Sequence, residues 1–205
     1  MKISANIALT LDGRIAGIDP RQRLGSKLDL QRMKSLRADA DAVLVGGRTF
    51  RDWPLPYGGG APLINAVLTN AGVGAHIATP LQRWSDSRVR LIVLTSTKNV
   101  RDEKIACPEL EVVSTPTPTV AWALSTLEGL VVDHVLCEGG GALLGELIAL
   151  KRLNRLYVTI CPKLLGEGAL LFDGAVGDVS LQILNSEKQG DEIFVSYQCT
   201  YLPEE

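Results

Sequence analysis

The chain has 205 residues, 46% of them apolar and only 21% charged, with a formal net charge of −2. These values describe a single globular domain over residues 1–205 and exclude a disordered chain. They leave no electrostatic basis for a nucleic-acid partner, and no window is apolar for long enough to span a membrane.

The N-terminus, Met1-Lys2-Ile3-Ser4-Ala5-Asn6, lacks the layout of a signal peptide, so a cytoplasmic setting is expected. Cys107, Cys137, Cys161 and Cys199 lie far apart with no C-x-x-C pair, and His76 and His134 are the only histidines. No metal site can be assembled from known ligand spacings. No G-x-S-x-G turn supports a serine nucleophile. Acid–base chemistry therefore falls to carboxylates, ordered water or a cofactor.

In chain order, Ile3 to Leu9 reads as a strand, followed by the turn Leu11-Asp12-Gly13 and a short apolar piece, Ile15-Ala16. Asp-Gly is a turn signal in itself, which makes Asp12 more structural than catalytic. Gly17 to Gly25 form a basic polar loop. Ser26 reads as a helix N-cap with Asp29 as its capping-box partner, and the helix ends near Arg37-Ala38 with Leu30, Met33 and Leu36 inward. The strand Asp41 to Val45 runs into Gly46-Gly47-Arg48-Thr49-Phe50. Asp52-Trp53-Pro54-Leu55-Pro56-Tyr57 and Gly58-Gly59-Gly60 then read as a lid-like loop. Asn65 to Thr69, Leu91 to Thr95 and Glu111 to Val113 are further strands, and Pro116 to Leu127 a helix. The first two of these strands end in hydroxyl or amide side chains, including Thr69, Asn70, Thr95, Ser96 and Lys98, which suit a ribose or simply a turn. Leu156 to Ile160 is a strand, and Leu181 to Leu184 with Ile193 to Tyr201 alternate as an antiparallel closing hairpin does. The whole is an α/β domain, mainly parallel, with an antiparallel end.

The centre of the chain is the stretch Val131 to Leu144. An apolar strand stops at Glu138, three glycines follow, and Leu144, Leu147 and Ile148 then take helical spacing. Strand, glycines and helix together present free backbone N–H groups and a positive helix end to an anion. A tight β-to-α turn is the plain alternative. Glu138, at a strand's carboxyl end where open α/β sheets place ligands, favours a phosphate or dinucleotide site. A carboxylate at the end of a buried strand needs a partner or a chemical role, which makes Glu138 the first functional candidate.

Five blocks in register now resemble a known family: Asn6 to Ala16 (NIALTLDGRIA), Leu36 to Gly46 (LRADADAVLVG), Thr49 with Asp52 and Pro54, Glu138 to Gly141, and Cys161 to Gly166 (CPKLLG). Their order and spacing, over nearly the whole chain, are similar to the reductase domain of riboflavin biosynthesis. This is the C-terminal half of the bacterial deaminase–reductase and the stand-alone archaeal and fungal pyrimidine reductases. The resemblance implies a dihydrofolate reductase-like fold, with a mostly parallel central sheet flanked by helices and an antiparallel C-terminal hairpin. It also implies an NADPH-dependent reductase of a phosphoribosylamino-pyrimidine, in which hydride passes to C1′ of the ribose to give the ribitylamino compound. No metal is implied, and a homodimer is expected.

By the same resemblance, Ala8 lies against the nicotinamide, Thr49 and Asp52 contact the cofactor, and Thr69 or Asn70 sits near its adenosine end. Gly139, Gly140, Gly141, Ala142, Leu143 and Leu144 hold the pyrophosphate. Glu138 faces the substrate, orienting the sugar or supplying a proton through water. Arg37 and Ser26 match helix positions that touch the substrate, although by its own position Arg37 equally suits a solvated helix end. Asn6 stands where bacterial members often carry Lys and archaeal ones Asn. After Asp52 the family usually continues D-(N/D)-P-x-L-T-x-R, with the Arg on the substrate phosphate. Here that Arg is missing, leaving Arg21 or Arg23 as a replacement, or else a different substrate. Two other functions are open: reduction of a pterin or another small heterocycle on the same fold, and nucleotide binding without catalysis.

Overall fold

The computed structural model describes residues 1–53, 63–71, 89–99, 110–172 and 176–202. In chain order its elements are β1 (Lys2–Thr10), β2 (Arg14–Ala16), α1 (Lys27–Ala38), β3 (Ala42–Gly46), α2 (Gly47–Asp52), β4 (Leu63–Thr69), β5 (Val89–Ser96) and β6 (Leu110–Thr115). They continue with α3 (Val120–Glu128), β7 (His134–Cys137), α4 (Gly141–Ala149), β8 (Arg155–Cys161), β9 (Ala169–Leu170), β10 (Ser180–Gln189) and β11 (Glu192–Thr200). One nine-stranded sheet runs in the order β10-β11-β8-β1-β7-β3-β4-β5-β6, and β2 pairs with β9 beside it. From β8 to β6 all neighbours are parallel, while β11 and β10 add antiparallel strands at one edge. The expected α/β architecture with a closing hairpin is therefore present.

Strands β3 and β5 are apolar on both faces, as strands covered on both sides are, whereas β1 carries polar residues on one face. Alternation along β1 sends Ile3, Ala5, Ile7 and Leu9 into one core, which Val120, Leu124 and Leu127 of α3 and Leu144, Leu147 and Ile148 of α4 complete. Val43 and Val45 of β3, Leu136 of β7 and Phe50 of α2 form the second core on the opposite face, where Leu36 of α1 also packs. That second face is not filled everywhere. Helix α1 has no fully buried residue, and Leu30, Met33 and Leu36, expected to point inward, are only half-buried. Beneath it lies a polar cleft over β1, β7 and β8.

Several boundaries differ from the sequence reading for local reasons. Helix α3 starts at Val120, not Pro116, because Pro116 and Pro118 hold the chain extended until Thr119 caps the helix by accepting from Trp122 N at 3.2 Å. Strand β7 starts at His134, since Val131 turns the chain with φ 60°. The segment after Gly46, read only as a glycine transition, is the six-residue helix α2. The lid-like stretch from Pro54 to Gly60, along with His76 and Cys107, lies outside the described residues.

Candidate active site

Sheet register decides which side chains face the cleft. In β1, Ser4, Asn6, Ala8 and Thr10 point away from the first core, and β8 places Tyr157 beside Asn6 and Thr159 beside Ala8. Strand β7 pairs Ser4 with Leu136, so Glu138, two residues on, leaves the sheet on the same face as Asn6. The Glu138 N–H donates to Leu44 O at 3.0 Å, which fixes the corner against β3.

Glu138 has a partner. Arg37 Nε donates to Oε1 and Oε2 at 2.9 and 3.1 Å, and Arg37 Nη2 donates to Oε2 at 2.6 Å. The two side chains are 10% and 7% exposed. Arg37 is thus not a solvated helix-end cation; it reaches down from α1 to close the carboxylate. Burial pushes the Glu138 carboxyl up from its ordinary value, while the Arg37 fork pulls it back.

Ser26 caps α1 as expected, accepting from Leu28 N at 3.1 Å. The capping-box role assigned to Asp29 belongs instead to Glu192 of β11. Its Oε1 accepts from Ser26 N at 2.7 Å, and its Oε2 accepts from the Ser26 hydroxyl at 2.6 Å. Asp29 turns to the cleft floor, bonded to the Thr159 hydroxyl, and burial with the nearby Glu192 charge pushes its carboxyl up. Gly25 gives it room, since a Cβ there would lie 2.2 Å from Asp29 Oδ2. Arg32 crosses from α1 to donate to Val158 O and Val195 O, both at 3.0 Å, with Tyr157 and Phe194 beneath its guanidinium. The sequence reading missed Asp29, Arg32 and Glu192 as parts of this cleft. The signal for Glu192 was the one used for Glu138, a carboxylate at the end of an apolar strand. Between these groups, Asn6 Oδ1 is buried and, among the described residues, has no hydrogen-bond partner, an acceptor left unsatisfied beside the Glu138–Arg37 pair.

Next to Glu138, two helices begin on glycine. Gly140 caps α4 and Gly46 caps α2, neither with a side-chain hydrogen bond. They lie close together: a Cβ on Gly139 would meet Gly46 N at 3.1 Å, and one on Gly140 would lie 4.0 Å from Thr49 Oγ1. Of the predicted stretch, Leu143 N and Leu144 N already donate to Gly140 O, and both side chains are buried in the first core. A Cβ on Gly141 would lie 1.9 Å from Leu171 O, so this glycine answers to the chain's own packing. Gly46, Thr49 and Gly140, all half-buried, lie together at this corner. First-turn N–H groups without a cap suit a diphosphate.

The remaining predicted positions are spread around this corner. Ala8 is half-buried in the cleft floor and Asp52 ends α2. Thr69 Oγ1 accepts from Ala71 N at 3.1 Å, stabilising the turn that carries the exposed Asn70. Thr95 Oγ1, at the end of the neighbouring β5, is buried and has no partner among the described residues. Asp12 is structural: it accepts from the Thr10 hydroxyl at 2.5 Å and from Gly166 N at 2.8 Å, bonds that hold its carboxyl down at about 2. His134, at the far end of β7, is held between the Ser4 hydroxyl and Asp39 O, both at 2.7 Å. Burial pushes the thiols of Cys137 and Cys161 up to about 12, which leaves them inert. Among the described residues no group of His, Cys, Asp and Glu could hold a metal ion, and no helix is long and apolar enough to cross a membrane.

A mostly parallel sheet with an antiparallel hairpin at one edge, its glycine-led helices opening beside a buried carboxylate, is a fold of the dihydrofolate reductase type. The chain belongs to the RibD C-terminal domain family, whose model matches residues 1–195. It is 26% identical to the riboflavin biosynthesis protein RibD of Synechocystis, covering 94% of this chain but 55% of that protein, so it spans about half of that relative's length. It is 25% identical to the 2,5-diamino-6-ribosylamino-4(3H)-pyrimidinone 5′-phosphate reductase of Methanothermobacter thermautotrophicus, covering 94% of this chain and 95% of that one. Among solved structures it is similar to the deaminase/5-amino-6-(5-phosphoribosylamino)uracil reductase of Thermotoga maritima, with a TM-score of 0.77, 24% identity and coverage of 96% and 56%. A pyrimidine reductase-like protein of Corynebacterium diphtheriae matches with a TM-score of 0.73, 17% identity and coverage of 98% and 92%. These last two likenesses carry the fold alone.

Proposed function

We propose that this chain is a pyridine-nucleotide-dependent reductase of riboflavin biosynthesis, reducing a phosphoribosylamino-pyrimidine to the ribitylamino compound. The observation that carries this reading is the meeting of two glycine-led helix ends with the Glu138–Arg37 pair and the buried acceptor of Asn6, unpaired among the described residues. Membership of the reductase family gives that arrangement its chemistry.

NADPH is the cofactor this reading assigns, and the residues present fit it. The Gly46 and Gly140 helix ends suit its pyrophosphate, with Thr49 between them and Asp52 at the rim. This reading puts the adenosine near the ends of β4 and β5, at Thr69 and Thr95, with Asn70 and Lys98 in the turns that follow. Ala8, without a bulky side chain, leaves the floor of β1 open to a flat ring. When bound, the reduced nicotinamide supplies a hydride.

The chain's own residues do the rest. Asn6 accepts a hydrogen bond from the heterocycle or its sugar. Glu138, raised by burial, is suited to hold a proton near the reacting sugar and pass it through water, with Arg37 fixing its orientation. Exposed Leu181, Ile183 and Leu184 on the edge strand β10 support a homodimer, and buried reduced cysteines accord with a cytoplasmic setting.

The test is turnover. Absorbance of the reduced cofactor is followed with phosphoribosylamino-pyrimidine and, separately, with dihydrofolate, using NADPH and NADH in parallel. Oxidation with the pyrimidine and not with dihydrofolate is expected, with NADPH preferred. Absence of oxidation with either substrate refutes the reading. Light scattering tests the dimer, and a monomer at micromolar concentration removes it.

A further inference from the structure

The loop and helix over the cleft, residues 17–38, carry four arginines. Three are engaged with acceptors of the chain itself. Arg37 is forked onto Glu138, and Arg32 donates to the carbonyls of Val158 and Val195. Arg21 stands 3.7 Å from Asp19 Oδ1 and is largely exposed. Ser26, the other residue expected on the substrate, gives its hydroxyl to Glu192.

Arg23 differs. Its guanidinium carbon lies 4.7 Å from the centre of the Trp53 ring, and among the described residues the guanidinium makes no hydrogen bond or ion pair. Stacking occupies the face of a guanidinium and leaves its in-plane N–H groups pointing outward, the geometry that matches phosphate oxygens. The platform is braced on both sides. Trp53 Nε1 donates to Pro20 O at 3.1 Å, and Lys163 Nζ donates to Leu24 O at 2.7 Å and Arg23 O at 3.3 Å. The Arg23 charge also acts on both Asp29 and Glu138, which places it over the same cleft.

We infer that Arg23, held over the Trp53 ring with its backbone braced by Lys163, is the anchor for a sugar-phosphate dianion beside Asp29 and Glu138. This rests on the reductase reading for the identity of the sugar phosphate, but not for the existence of an anion site. The anchor lies on the loop before α1, because the Arg37 and Ser26 groups on the helix already serve Glu138 and Glu192.

The experiment pairs a binding arm with a turnover arm. Ribose 5-phosphate and ribose are titrated calorimetrically against the wild-type chain, Arg23→Gln, Trp53→Leu and Arg21→Gln. Turnover is then measured with the phosphorylated pyrimidine and its dephosphorylated form. Loss of a charge-assisted pair predicts an affinity for ribose 5-phosphate about 10- to 100-fold weaker in Arg23→Gln. A smaller loss is expected in Trp53→Leu, and none in Arg21→Gln. Ribose and cofactor binding should not move, and KM should rise for the phosphorylated substrate alone. The inference is overturned if Arg23→Gln binds ribose 5-phosphate as the wild type does, or if the wild type does not distinguish it from ribose. If discrimination depends on Arg23 while no pyrimidine is reduced, the anchor stands and the reductase reading falls.

Discussion

Replacing Arg37 by Met removes one half of a buried pair and leaves the other half in place. Three donor–acceptor distances between 2.6 and 3.1 Å, with side chains 10% and 7% exposed, put this pair in the class where removing one partner destabilises by about 3–5 kcal/mol. For a domain of this size that corresponds to a fall in Tm of roughly 6–20 °C. The loss should depend on pH in a set direction. Burial raises the Glu138 carboxyl in the folded chain, so its contribution to stability is complete below the unfolded glutamate value of about 4.3 and is lost as pH rises through the folded value. Without the Arg37 fork, which pulls that value down, the folded carboxyl rises further and more stability is lost over the same ascent. The gap between wild type and Arg37→Met should therefore be small near pH 5 and open toward pH 8. The double variant Arg37→Met/Glu138→Leu should recover most of the loss, since no charge is then left buried. Urea denaturation at pH 5, 6.5 and 8 measures all three chains. A loss under about 1 kcal/mol that ignores pH, or a double variant no more stable than the single one, would refute the view that the pair is dry and mutually dependent.

Other perturbations follow from the same contacts. Ser26→Ala removes both a cap and a donor to Glu192 and should lower stability by about 1–2 kcal/mol in urea, with Glu192→Gln losing less. Equal effects of Ser26→Ala and of an exposed control such as Ser35→Ala would dismiss the cap. Gly141→Ala drives a methyl against Leu171 O and should cost about 1–3 kcal/mol, whereas Gly145→Ala, with open space around it, should be neutral or stabilising. Asp12→Asn should loosen the turn at Leu165 and Gly166, read as faster amide exchange there. Because the folded Asp12 carboxyl is depressed to about 2, its contribution is present above the unfolded aspartate value and fades as pH falls toward 2, so wild type and variant should converge in acid.

Much of the fold could be read along the chain because its strands carry their information locally. Strands β3 and β5 carry continuous apolar runs, and β1 alternates apolar with polar residues. The N-cap of α1 stands at Ser26, where a hydroxyl precedes the helical spacing. Elements with few residues escaped: α2 has six and β9 two, too short for either period to show. The candidate site was legible as positions but not as partnerships. Arg37 and Glu138 are 101 residues apart, and Ser26 and Glu192 are 166 apart, distances over which pattern says nothing. Each residue was therefore read with a local explanation, Arg37 as a helix-end cation and Asp29 as a cap partner, and the fold replaced both.

The same pairings explain why α1 misled. Half-buried Leu30, Met33 and Leu36 give it an apolar side, yet no residue of the helix is fully buried. What holds it over the sheet is a series of polar ties to three strands: Ser26 to β11, Asp29 to β8, Arg32 to both, and Arg37 to the end of β7. A helix that packed its leucines flat would fill the second core and leave no cleft. These charged ties place polar side chains, not leucines, over the stretch of β1 that carries Asn6 and Ala8. They also make the helix more sensitive to pH than α3 or α4, which are held by apolar burial. The space that defines the site and the buried charges that a purely apolar reading of α1 leaves unexplained thus have one cause.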